Sequence, residues 1–281
     1  MVLSLSAGEF QVGKGTFYLK GGFAGLTKEL DTDVTTFSLV EQHKNIFSSN
    51  WFYKFNFTWI DSDKLKQAQS SVNSGINRFN SSSSVIQIPS VEYRVKGLDI
   101  NFVIGKDFIN KDNEDTYLGA GLLLGASMPW IESDNSKQDN IDLAKKGYKI
   151  LKDTKTKVMT FKMGLNVSGA KKIMPMVSIY GYGSWAYQTG RVKNSDVDTS
   201  IHINGEFREF DAGIRFEPIS TKTKIGFITL SPKLYANLGY RYSYWRLNNI
   251  KINVIGVDFK FDKSDLEMKN SIIYAGVGYS F

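Results

Sequence analysis

Residues Ser271–Phe281 read SIIYAGVGYSF, and the way that stretch alternates decides how the rest of the chain is read. Ile273, Ala275, Val277, Tyr279 and Phe281 fall on one side of an extended chain. Tyr274, Gly276, Gly278 and Ser280 fall on the other, with Ile272 above them. Successive side chains of a strand point to opposite faces, so this is a strand with one apolar face and one small or polar face. Alternation alone leaves open which face is inside. A soluble sheet buries the apolar face; a barrel in a membrane turns it outward.

The same period of two recurs along the chain. Trp51, Tyr53, Phe55, Phe57 and Trp59 alternate with Phe52, Lys54, Asn56, Thr58 and Ile60, and a face of five large aromatics cannot rest in water. Leu118–Met128, Met159–Val167 and Leu234–Tyr244 repeat the pattern. About ten strands result, near 15–27, 45–61, 85–95, 97–108, 115–129, 155–168, 172–190, 201–217, 229–247 and 268–281. The phase of 201–217 changes, and one extra residue at Arg208–Glu209, a β-bulge, would account for it. A twelve-strand count is the alternative, with the additional pair drawn from 30–42 and 250–262. Short connections (Ile109–Glu114, Gly169–Lys171, Ser220–Lys224) mix with long ones (Thr27–Lys44, Pro129–Thr154, Arg191–Ser200, Asn248–Glu267). Leu65, Ala68, Val72, Ile76 and Phe79 recur at helical spacing after Ser62, and Leu143, Ala144, Tyr148 and Leu151 do likewise, so a short helix or a loop is expected at each.

Composition narrows the class. The 281 residues include 14 Tyr, 19 Phe, 5 Trp and 25 Gly but only 5 Pro, a mix suited to strands and tight turns. Mean hydropathy is −0.24, and no apolar run approaches the roughly 20 residues of a membrane helix. The absence of Cys removes disulfides, thiolate chemistry and Cys-ligated metals. Net charge is +7, a mild basic excess. Residues 1–7 are read as the remnant of a secretory signal or a tag, and 8–281 as one domain.

Three features favour the all-β reading in which the apolar face is outward, a transmembrane antiparallel up-and-down β-barrel. Trp51, Trp59, Trp130, Trp185, Tyr187, Tyr242 and Tyr244 stand near strand ends on the apolar face, as aromatic girdles do at two membrane interfaces. The polar face is rich in Gly, Ser and Tyr mixed with charges of both signs. Short turns and long loops alternate. An open edge in lipid would leave backbone groups unpaired, so the sheet must close. Against that background the tail resembles the C-terminal signal of Gram-negative outer-membrane β-barrel proteins, carried by Tyr274, Gly276, Tyr279 and Phe281. The resemblance implies an outer-membrane location, insertion by the β-barrel assembly machinery, short periplasmic turns and long external loops, and contact with outer-membrane lipid and lipopolysaccharide.

For function, the alternation assigns Lys20, Lys54, Asn56, Glu92, Arg94, Asp99, Lys162, Glu206, Arg208, Asp211, Arg215, Glu217, Lys233 and Arg241 to the lumen. Their basic surplus suits a narrow channel for small solutes or ions with mild anion preference. The alternative is a lumen closed by mutually paired charges, with function carried at the cell surface by adhesion or by lipopolysaccharide contact through Lys145, Lys146, Lys149, Lys152, Lys155 and Lys157. A third class is a hydrolase at the external rim, built on an inward His202 near Asp196, Asp198, Asn204 and Glu206; His43 has only Ser48, Ser49 and Asn50 beside it. No enzyme motif, metal cluster, cofactor loop or nucleic-acid motif accompanies them, so a monomeric, non-enzymatic, cofactor-free barrel is expected.

Overall fold

The structure, a computed structural model, describes residues 7–23, 26–46, 50–67, 70–73, 85–88, 91–109, 116–145, 155–194, 200–218, 223–225, 228–230, 234–254, 257–261 and 266–280. Ten long strands form the wall: β1 (Ala7–Phe23), β2 (Leu26–Ile46), β3 (Trp51–Ser62), β4 (Val91–Asp107), β5 (Thr116–Ser127), β6 (Lys155–Met174), β7 (Val177–Asn194), β8 (Ser200–Phe216), β9 (Leu234–Val254) and β10 (Leu266–Ser280). Each pairs antiparallel with the next, and β10 pairs with β1, so the sheet closes. Closure leaves every wall strand with two hydrogen-bonded neighbours, which is the condition for crossing lipid with strands.

The register fixes the size of the barrel. From Phe216 the pairing runs through Ala236, Val277, Phe10, Leu39 and Phe57. It continues through Ile100, Ala126, Phe161 and Thr189, and returns to β8 at Asn204, a stagger of 12 residues (216 − 204). Ten strands about 4.8 Å apart with that stagger tilt by about 40° and enclose a backbone cylinder about 20 Å across.

The exterior and interior sort as a membrane requires. Phe37, Leu39, Leu122, Leu124, Phe161, Met163, Leu165, Ile273 and Val277 are exposed, while Gln11, Asn56, Asp99, Lys162, Asp211 and Arg241 are buried. Trp59 and Trp130 meet edge to face at 5.4 Å on the outer wall, and Trp185 is exposed beside Tyr187. Inward glycines make room for inward rings. A Cβ on Gly278 would lie 2.2 Å from Cζ of Tyr235, and one on Gly239 would lie 2.5 Å from the Tyr274 hydroxyl.

Several expected elements move. Thr27–Lys44 is not a loop but most of β2: Thr32, Val34, Thr36 and Ser38 point inward and Phe37 and Leu39 outward. The pattern is hard to read because polar residues fill its inner face and Lys28, Glu29, Asp31 and Asp33 crowd one end. Segments 85–95 and 97–108 are not two strands with a turn between. Val91–Asp107 runs straight through, with Val95, Gly97 and Asp99 all inward. One strand gained and one lost keep the total at ten, but they place Ser62 and the residues Asp63–Gln67 that follow it at the end opposite Ala7 and Ser280. The segment after Ser62 is strand rather than helix over Leu65–Gln67 and Ser70–Asn73; residues 68, 69 and 74–84 lie outside the described residues. The second helix spans Lys137–Lys145, earlier than expected, because Ser136 and Asp139 cap it reciprocally (Ser136 Oγ accepts from the Asp139 N–H at 3.1 Å). In the 250–262 region, Ile250–Val254 at the end of β9 pairs antiparallel with Val257–Phe261, which among the described residues pairs with no other strand. The connection expected at Ser220–Lys224 is longer and carries a small hairpin, Thr223–Ile225 with Ile228–Leu230.

Candidate functional site: a filled lumen and a charged rim

The lumen is built in two tiers. In the half nearer the termini, Arg241 on β9 is the hub. Its Nε donates to Asp211 at 2.7 Å, Nη2 to Gln11 at 2.8 Å, and Nη1 to Ser38 and Thr58 at 3.2 and 3.3 Å, so one guanidinium ties β8, β1, β2 and β3 together. Asp211 also accepts from the Tyr274 hydroxyl at 2.6 Å, whose oxygen in turn accepts from the Tyr180 hydroxyl at 2.8 Å. Glu209 accepts from Tyr182 and Ser243, and the Lys54 ammonium lies 3.4 Å above the Tyr182 ring. Below them Glu9 accepts from Tyr235, Asn237 and Gln11, with Arg215 at 3.7 Å. Beside the hub, Lys162 and Asp99 pair at 2.7 Å with the lysine side chain fully buried. Asn101 and Ser127 donate to the same carboxylate, and the Trp245 indole donates to Ser127. A buried charge is tolerable only when paired and hydrogen-bonded, and both of these arrangements meet that condition.

Above that layer the lumen turns apolar. Phe17, Val34, Ile60, Val95, Val158, Ile203, Phe207, Trp245, Leu247 and Met268 form one contiguous core, with Leu19, Ile131, Val192, Ile201 and Leu266 packed on it. A space of about 70 Å³ lies in the lumen beside Lys54, Tyr182 and Arg241. Sites that hold small molecules run to about 300–1,000 Å³, so this space is water-sized.

The expected lumen residues separate into two groups. Lys54, Asn56, Asp99, Lys162, Asp211, Arg215 and Arg241 are on the inner face and meet one another there. Lys20, Glu92, Arg94, Glu206 and Arg208 are not. Lys20 follows the outward set of β1, because Phe17 and Leu19 point inward, and it stands across from Glu267. Glu92 and Arg94 share the outer side of β4 and pair with Lys64 and Asp61. Glu206 and Arg208 are outside because β8 has no bulge at Arg208–Glu209. Phe207, Glu209 and Asp211 continue the inner set, and the irregularity falls between His202 and Asn204. Glu217 is half-buried just past β8, and Lys233 lies outside the described residues. Sequence reasoning missed Glu9, Gln11, Glu209, Tyr180, Tyr182 and Tyr235. The signal was present in Phe207-x-Glu209-x-Asp211, which keeps one parity if an apolar residue is allowed inside.

Of the assembly-signal residues, Tyr274 is buried in the lumen, Gly276 faces Asn237 so closely that a Cβ would lie 2.4 Å from its Oδ1, and Tyr279 is half-buried on the outer side. Phe281 and residues 1–6 lie outside the described residues. Trp51, Trp59, Trp130, Trp185, Tyr242 and Tyr244 stand on the outer side of their strands. His202 is exposed on the outer side of β8, not inward; Asp196 and Asp198 lie outside the described residues. His43 stacks on Tyr53 at 5.7 Å near the terminal end.

At the opposite rim an ion network caps the wall. Glu132, in the short strand Trp130–Ser133, takes Lys96 at 2.5 Å, Lys155 at 3.1 Å and the Trp130 indole at 3.0 Å. Partial burial raises its pKa, but these three donors outweigh that and hold the carboxyl down at about 2. Lys64 bridges Asp134 and Glu92, and the bond to Asp134 raises its pKa. Of the basic loop, Lys145 and Lys157 are exposed, Lys155 is tied to Glu132, and Lys146, Lys149 and Lys152 lie outside the described residues.

A closed barrel with an apolar wall, aromatic girdles and a polar lower lumen is a transmembrane β-barrel. No protein-family model matches the chain, and no curated protein does. Among solved structures, the outer-membrane protease OmpT from Escherichia coli aligns over 100% of this chain and 99% of its own, at 9% identity and a TM-score of 0.50. The translocator domain of the autotransporter NalP from Neisseria meningitidis covers 98% of this chain and 88% of its own at 12% identity, TM-score 0.38. Ail of Yersinia pestis covers 98% and 99% at 10% identity, TM-score 0.29. At these identities the likeness is one of fold. The chain thus has the fold of the Gram-negative outer-membrane β-barrels, with Ala7 and Ser280 at one end of the barrel and the apolar tier and ion network toward the other.

Proposed function

We propose that this barrel is a sealed, monomeric surface protein whose work is done at its external rim, in contact with lipopolysaccharide, rather than a conduit. The filling of the lumen by two stacked tiers, a hydrogen-bonded charge layer under a largely apolar core, carries the reading. An ion crossing it would have to break the Arg241 and Lys162 pairs and then pass an apolar layer, where an unpaired charge is most costly. The outer wall supports the lipopolysaccharide contact. Lys157, Arg191, Lys193 and Arg246 are exposed toward the external ends of their strands, beyond the girdle set by Trp185, Tyr242 and Tyr244. Basic side chains there suit phosphorylated head groups. Outward placement of His202 favours a non-enzymatic role. Insertion by the β-barrel assembly machinery through the last strand belongs to the same proposal, supported by Tyr279 on the outer wall at the periplasmic end.

The test is liposome swelling. Proteoliposomes holding the refolded protein should swell in small sugars and zwitterionic amino acids no faster than protein-free vesicles. Swelling that rises with protein content would overturn the reading and return the lumen charges to the role of a selectivity filter.

A further inference from the structure

We infer that the periplasmic end of the outer wall holds one zwitterionic phospholipid of the inner leaflet, with its ammonium on Glu41 and an acyl chain in the groove beside it. This site is independent of the rim function proposed above. A groove of about 510 Å³ opens on the outside of the barrel across β10, β1, β2 and β3, lined by Phe10, Leu39, Phe55, Val277 and Tyr279, with Glu41 at its edge. Its size falls in the ~300–1,000 Å³ range of specific ligand sites, and its lining is mostly apolar; of its two glutamates, Glu9 turns its carboxylate into the lumen and Glu41 stands on the outward set.

Its place on the molecule selects the occupant. Phe10, Leu39 and Val277 are 44, 54 and 59% exposed on a face that lies in the acyl layer, so a lipid chain is the apolar molecule available to them. Gly8 and Tyr279, at the strand ends beside the termini, set its height at the periplasmic interface. Glu41 lies on the outward set of β2 and is held in place. The Tyr53 hydroxyl donates to its Oε1 at 2.6 Å, and the His43 ring stacks on Tyr53 at 5.7 Å and 18°. That leaves Oε2 to take a donor from the head group. A primary ammonium supplies charge-assisted hydrogen bonds at that oxygen. An anionic phosphatidylglycerol head would instead set its phosphate beside a carboxylate with no ammonium between them. The site therefore selects phosphatidylethanolamine. Glu41 is a binding residue in this account, and Tyr53 and His43 position it.

Native mass spectrometry of the folded protein, released from micelles with equal amounts of dipalmitoyl phosphatidylethanolamine and phosphatidylglycerol, tests this. Wild type should retain one phosphatidylethanolamine in at least fivefold preference. Glu41→Gln should bring the two lipids to near parity, and Leu39→Trp, which fills the groove, should lose both. Each variant is checked for folding by its heat-dependent gel mobility. Equal retention of both lipids by wild type, an unchanged preference in Glu41→Gln, or a lipid-free dimer that dissociates with Leu39→Trp would overturn the proposal.

Discussion

Single side chains here carry unequal weights, and Asp99 and Lys162 show why. The Lys162 side chain is completely enclosed, with its ammonium 2.7 Å from Asp99 and 3.9 Å above the Phe207 ring. Exchanging Asp99 for Asn leaves a buried ammonium facing a neutral amide, and such half-pairs cost about 3–5 kcal/mol. Urea titration in micelles, followed by loss of the compact gel form, should show that loss for Asp99→Asn. The double exchange Asp99→Leu with Lys162→Met should recover most of it, since a packed apolar pair of similar volume is often neutral. A single variant as stable as wild type would mean that water reaches Lys162. At this scale the sequence showed which polar residues could face inward wherever an outward aromatic fixed the parity, as Phe55 and Phe57 do for Lys54, Asn56 and Thr58. It failed at Glu206 and Arg208 because Phe207, lying inside, was read as lipid-facing.

Among the elements, the short strand Trp130–Ser133 joins β4 to β6 above the girdle, and Glu132 is its electrostatic anchor. The folded pKa of Glu132 is lowered from the usual 4.5 to about 2. Its contribution is therefore fully present above about pH 4.5 and is lost as pH falls toward 2, because the unfolded carboxylate takes up its proton first. Hydrogen exchange should show the amides of Ile131 and Thr156 opening between about pH 4.5 and 2 while those around Arg241 stay protected. Glu132→Gln should show the open pattern already at neutral pH. Rim protection that stays flat over that interval would contradict this assignment. Strands with a bulky outward face, such as β3, β5 and β6, were legible in the sequence. β2 was not, because only Phe37 and Leu39 mark its lipid face. The break expected between 85–95 and 97–108 is absent, and Gly97 lies inward beside Ile60.

For the whole molecule, ten strands with a stagger of 12 make a cylinder wide enough to need filling, and this chain fills it with two different materials. The closed barrel and its outward apolar wall were legible because period-two alternation survives along most of the chain. The apolar tier remote from the termini was not, because lumen residues are expected to be polar, and Phe17, Phe207, Trp245 and Leu247 break that rule. There the barrel buries an apolar core as a soluble barrel does, and the half nearer the termini buries paired charges instead. Both tiers would have to open for anything to pass. The measurement that bears on this most directly is single-channel recording of the refolded protein in a planar bilayer under a salt gradient, with folding verified by the heat-dependent gel shift. The sealed barrel predicts a folded protein that gives no steady openings. Steady ohmic openings, with a reversal potential displaced toward anion selectivity, would contradict it.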